Sequence, residues 1–73
     1  MALQLVMDRS GDTRHWYDPT DEQSLLEAKE RFKQLSERGY TAAVRGTGGT
    51  SQIAPSFDPT AEETLFFSRL VGG

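Results

Sequence analysis

Leu3, Leu5 and Met7 alternate with Ala2, Gln4 and Val6 at the start of the chain, the period-two pattern of a β-strand. Asp8-Arg9-Ser10-Gly11-Asp12 interrupts it with turn formers, and Gly11 is free to take a positive φ. Thr13-Arg14-His15-Trp16-Tyr17 then resumes with β-branched and aromatic residues. The pattern predicts strand, turn and strand from about residue 2 to 17. It leaves open which side of the second strand faces inward, because Trp16 and Tyr17 point opposite ways.

Asp18-Pro19-Thr20 closes this hairpin and opens a helix. Proline suits a helix edge, where its missing N–H is no loss. Thr20 and Gln23 have the spacing of a capping box, and Asp21 and Glu22 complement the positive end of the helix dipole. Leu25, Ala28, Phe32 and Leu35 recur at intervals of three and four and form one apolar stripe. Glu27, Lys29, Glu30, Arg31, Lys33 and Glu37 cover the rest, and Gly39 is the stop signal after Arg38.

Tyr40-Thr41-Ala42-Ala43-Val44-Arg45 reads as a third strand, followed by the loop Gly46-Thr47-Gly48-Gly49-Thr50-Ser51 and a short strand at Gln52-Ile53-Ala54. Phe57-Asp58-Pro59-Thr60 echoes Tyr17-Asp18-Pro19-Thr20, and Thr60 with Glu63 has the spacing to cap a short helical turn. A four-residue echo is better explained by shared capping chemistry than by duplication. Residues 64–71 are rich in Leu, Phe and Val and read as a last strand. The expected class is α+β: a β-grasp, with a mixed sheet and one helix across one face. The helix between strands two and three is what permits a parallel return to the sheet.

Composition narrows the function. Seventy-three residues make a single domain of marginal independent stability, expected to span residues 1–71 with residues 72–73 as a Gly-Gly end. A catalytic pocket of about 300–1,000 Å³ needs walls that such a chain can scarcely supply while building a core. A carrier, modifier or binding module is therefore expected rather than an enzyme. With Cys 0 there is no disulfide, no thiolate metal site and no cysteine nucleophile. No apolar run exceeds three residues, against about 20 for a membrane span and about 7–15 for a signal peptide, so a cytoplasmic protein with no membrane contact is expected. A net charge of −3 speaks against nucleic acid as a partner.

The end of the chain carries the sharpest signal. Arg69-Leu70-Val71 precedes Gly72-Gly73. Serial glycines are costly to order and add nothing to a core. With Gly 7 in the chain, a given pair of positions is Gly-Gly about one time in a hundred. A frayed end is the bland explanation. A reactive carboxylate is the sharper one, since glycine alone lets backbone enter a narrow channel and leaves the acyl carbon unhindered.

On these residues the chain resembles the ubiquitin-like β-grasp modifiers over nearly its whole length. The matching pieces are the opening hairpin with Gly11, the Asp18-Pro19-Thr20-Asp21 start of the helix, Ala28-Lys29 within it, Glu63-Thr64-Leu65, and Arg69-Leu70-Val71-Gly72-Gly73. The resemblance implies that a partner adenylates the Gly73 carboxylate with ATP and Mg²⁺. The acyl group would then pass to a partner's cysteine and on to an amine of a target protein. Arg69, Leu70, Val71 and Gly72 would be the tail that the activating enzyme reads. It also implies a conjugating enzyme and a deconjugating isopeptidase, a monomeric modifier, and no catalytic residue, bound cofactor or metal in this chain. The family's aliphatic receptor patch maps to Val44 and one of Phe66 or Phe67, with Phe66 the chosen candidate. Only Lys29 and Lys33 are present, a departure from the family's lysine-rich surface that puts chain building in doubt. Two alternatives share the features: a sulfur carrier acting through a terminal thiocarboxylate, and a non-catalytic β-grasp binding subunit.

Other candidates have weaker chemistry. The Gly46-Thr47-Gly48-Gly49-Thr50-Ser51 loop lacks the lysine and the strand–loop–helix setting of a phosphate-binding loop. His15 has no Asp/Ser arrangement tied to it, and Glu62-Glu63 reads as helix-start charge rather than an acid/base pair. Lys29 and Lys33 read as solvated charges, and Trp16, Phe32, Phe57 and Phe67 as core.

Overall fold

The computed structural model describes residues 1–46 and 50–68. The elements run β1 (Ala2–Asp8), β2 (Gly11–Tyr17), α1 (Glu22–Glu37), β3 (Tyr40–Arg45), β4 (Ser51–Ile53) and β5 (Glu63–Ser68). The five strands form one sheet in the order β2-β1-β5-β3-β4. β1 and β5 are parallel, with Leu5 opposite Leu65, while the other neighbours are antiparallel. A mixed sheet with one helix across it is the expected α+β, β-grasp arrangement. Its last strand lies at the centre, as the parallel return requires.

Local chemistry explains where the elements stop. The β1–β2 turn is held by Asp8 Oδ1, which accepts from the Ser10 N–H at 2.8 Å and the Ser10 hydroxyl at 2.6 Å, and Gly11 takes a φ of 124°. Gly39 ends α1 with a φ of 93°, where a side chain would be strained. The expected Thr20–Gln23 capping box does not form. Asp21 is the N-cap and makes no side-chain cap bond. Thr20 instead donates its N–H and hydroxyl to Asp18 Oδ1, at 2.9 and 2.7 Å. Thr60 does the same to Asp58 Oδ1, at 2.9 and 2.6 Å, and each Asp carbonyl accepts the N–H three residues on. The two echoing quartets are thus the same Asx turn. One leads into a helix and the other into β5, so the short helical turn expected at Thr60 is absent.

The core lies between α1 and one side of the sheet. Val6, Phe32, Leu35, Ala42, Ala54 and Phe66 form one buried cluster, and Ala2, Tyr17 and Ala28 another, with Phe57 packed against both. Phe57 meets Tyr17 and Phe32 with ring centroids 6.1 and 6.0 Å apart, and Phe32 meets Phe66 edge-on at 5.5 Å. Edge-on contacts of this kind add about 0.5–1.5 kcal/mol each beyond the area buried. Two polar side chains are also buried, Gln4 and Thr64. Gln4 is satisfied at both ends: Nε2 donates to the Ala28 carbonyl at 3.0 Å, and Oε1 accepts from Arg31 Nη1 at 2.8 Å.

Candidate functional site

Residues 69–73 lie outside the described residues. The candidate tail Arg69, Leu70, Val71 and Gly72 and the candidate conjugation residue Gly73 therefore receive no structural account. Residues 47–49 of the glycine-rich loop lie outside as well. What the structure does describe is the strand leading to the tail. β5 ends at Ser68, which pairs with Tyr40, beside Met7 opposite Phe67 at the hairpin end of β1.

The sheet has a second side, and strand alternation fixes its residues. Gln4 and Val6 reach the helix side, so Leu3, Leu5 and Met7 face away. By the same alternation Leu65 and Phe67 face away on β5, Thr41, Ala43 and Arg45 on β3, and Trp16 on β2. Pairing stacks these into rows. Leu5, Leu65, Ala43 and Ile53 make one, and Met7, Phe67 and Thr41 a second next to the end of β5. In a third row, Arg45 Nη1 and Glu63 Oε1 are 3.6 Å apart, a surface pair worth at most about 1 kcal/mol. Trp16 is 59 % and Ile53 65 % exposed at opposite margins of this face.

One member of the candidate receptor patch, Phe66, is not at the surface. Phe66 is completely buried against Phe32, and Val44 is half-buried and packed on the same cluster, so both belong to the helix side. Of the Phe66–Phe67 pair, it is Phe67 that faces the open side. Trp16, expected in the core, is exposed, and Tyr17 takes the buried place at 2 %. Tyr17 Oη is buried without a hydrogen-bond partner among the described residues, and burial, aided by the Asp58 charge, raises its pKa. The side that Ile53 faces carries no signal in the sequence, because a three-residue strand gives too few positions for a period to show.

Lys29 and Lys33 are exposed and edge a shallow groove of about 440 Å³ floored by Phe32 and Phe57. Glu63 lies within β5 rather than at a helix start, and Glu62 contributes its carbonyl to the Leu3 N–H at 2.9 Å. His15 is half-buried, and its pKa is lowered by burial first and by the Arg31 charge second. Among the described residues no three or more His, Asp or Glu side chains gather as a metal site, and no helix is long and apolar enough to cross a membrane.

Compared with known proteins, the chain matches no protein-family model, and no curated protein or solved structure matches it.

Proposed function

We propose that this chain is a ubiquitin-like protein modifier, activated at the Gly73 carboxylate and joined to amines of target proteins. The observation that carries the reading is a juxtaposition: Arg69-Leu70-Val71-Gly72-Gly73 follows directly on β5, the central strand of a β-grasp sheet. A central strand is held on both edges by neighbouring ladders, which makes it a firm anchor for a peptide that another protein must grasp. The chemistry takes three displacements. A Gly73 carboxylate oxygen, in the chain as given or after removal of anything beyond it, attacks the α-phosphorus of ATP, and pyrophosphate leaves. A partner's cysteine thiolate then attacks the acyl carbon and AMP leaves. Finally a target amine displaces the thiolate and forms an isopeptide bond. This chain, with Cys 0, supplies only the electrophile and the surface by which partners recognise it. The open face beside β5, where Leu5, Met7, Leu65 and Phe67 are half-exposed, supports such recognition, because accessible apolar rows are where partners gain area. Activating and conjugating enzymes and an isopeptidase are the partners this reading requires, in the cytoplasm.

The test is reconstitution with an adenylating enzyme and a conjugating enzyme encoded beside the gene. ATP and Mg²⁺ should give a thiol-sensitive adduct on the enzyme and then a thiol-resistant product of higher mass on a target. Deleting Gly72 and Gly73 should abolish both. Oxygen-for-sulfur exchange without any adduct would replace this reading with a sulfur carrier. Unchanged biological activity after the deletion would leave only a binding subunit.

A further inference from the structure

Gln4 is 0 % exposed in a small core where an apolar residue of similar size would pack without desolvating an amide. The side chain is positioned to hold another group: its Oε1 takes Arg31 Nη1 at 2.8 Å while its Nε2 is tied to the Ala28 carbonyl. The guanidinium is thereby fixed by a neutral amide, which leaves its positive charge uncompensated. Arg31 has no carboxylate within ion-pair distance among the described residues, and neither has Arg38. Arg31 lies in α1 and Arg38 is its C-cap, seven residues or two helical turns on, so the two share one side of the helix.

Both open on one cleft of about 280 Å³ between α1 and the β1–β2 hairpin, floored by Val6 and Leu35. His15, the register partner of Gln4, lines the cleft from β2. Thr13 and Tyr40 add hydroxyls. Asp8 is the one carboxylate on the lining, and its Oδ1 already accepts two hydrogen bonds from Ser10. Two guanidiniums against the one Asp8 carboxylate leave the cleft net positive in a chain of net charge −3.

We propose that this cleft is an anion site for a phosphate dianion, either inorganic phosphate or the head of a phosphomonoester. Two guanidiniums free of ion pairs among the described residues can meet two phosphate oxygens at once, and their planar forks suit that geometry. A carboxylate would answer only one of them. Holding Arg31 in place before the ligand arrives removes part of the ordering cost of binding. The volume suits a small charged group better than an extended ligand. His15, which burial and then the Arg31 charge hold toward its neutral form, would gain a proton more readily beside a bound dianion.

The experiment is a ¹H–¹⁵N titration of the full chain with inorganic phosphate, and separately with phosphoserine, at constant ionic strength set by chloride. Saturating shifts are expected at Thr13, His15, Arg31 Nε, Arg38 and Tyr40, with His15 titrating at higher pH when phosphate is present. Arg38→Gln, at an exposed position that leaves the core intact, should weaken binding roughly three- to tenfold. Asp8→Asn, which removes the opposing charge, should tighten it. Saturation by both probes assigns the site to the phosphate group alone, and saturation by phosphoserine only assigns it to phosphomonoesters. Non-saturating shifts spread equally over Arg9, Arg14 and Arg45 would overturn the proposal. So would affinities that neither substitution moves while the rest of the spectrum stays wild-type. None of these readouts involves the Gly-Gly end, so failure here is distinct from failure of the modifier reading.

Discussion

Along β1 and β5 the side away from the helix carries more apolar residues than the helix side, yet the helix side is the more deeply buried. On the helix side Val6 and Phe66 are sealed by Phe32 and Leu35, and even the polar Gln4 is buried with both ends of its amide satisfied. On the other side Leu3 and Ala43 are buried, but Leu5, Met7, Leu65 and Phe67 stay half-exposed with no helix over them. The difference teaches that apolar character does not decide burial in a two-layer domain with a single helix. The position of the helix decides it, and the uncovered side is left as a surface that other molecules can use.

The sharpest way to break the comparison is the adjacent pair Phe66 and Phe67. Phe66→Ala should cost about 3–5 kcal/mol, enough to unfold much of a domain this small, whereas Phe67→Ala should cost about 1 kcal/mol. Urea denaturation of the two variants measures the gap, and equal costs would mean that the two sides are equivalently packed. Gln4→Ala comes next. It vacates a buried amide and leaves Arg31 Nη1 without its acceptor, for an expected loss of about 1–3 kcal/mol. The Arg31 Nε resonance should lose its distinct shift in the same variant.

Smaller still is Trp16→Ser on the open side, expected to change stability by no more than about 0.5 kcal/mol. Tyr17→Ser, one residue on, should be far more damaging, and urea midpoints for this pair sharpen the same contrast on β2. The least effect comes from pH. Burial lowers the His15 pKa, so its contribution is complete above the ordinary value of about 6.5 and is lost as pH falls through the lower folded value. Hydrogen bonds from Ser10, Thr20 and Thr60 lower the pKa values of Asp8, Asp18 and Asp58. Their contributions persist above about 3.9 and fade only in stronger acid. Stability should therefore decline in two stages on acidification, and Asp58→Asn should remove part of the second stage only.

Much of the fold was legible because it is written in local terms. The hairpin around Gly11, the stripe Ala28-Phe32-Leu35 and the stop at Gly39 each depend on residues a few positions apart, and each stands where the pattern put it. The capping box failed for a local reason too. Asp18 competes for Thr20 and holds it in an Asx turn, as Asp58 holds Thr60. The candidate patch failed for a non-local reason. Alternation separates Phe66 from Phe67 but is symmetric between the two sides, and nothing in residues 63–68 says which side α1 will cover.

The amino-acid sequence by itself determined the strands, the helix and the turn at Gly11, because propensity, periodicity and turn chemistry act over a few residues. Only the tertiary structure decided that Tyr17 rather than Trp16 is buried, and that Phe66 is core while Phe67 lies on the open side. It also decided that Gln4 meets Arg31 across 27 residues of chain. Those outcomes depend on where one helix docks on the sheet, and docking is settled by the summed fit of side chains brought together from distant parts of the chain.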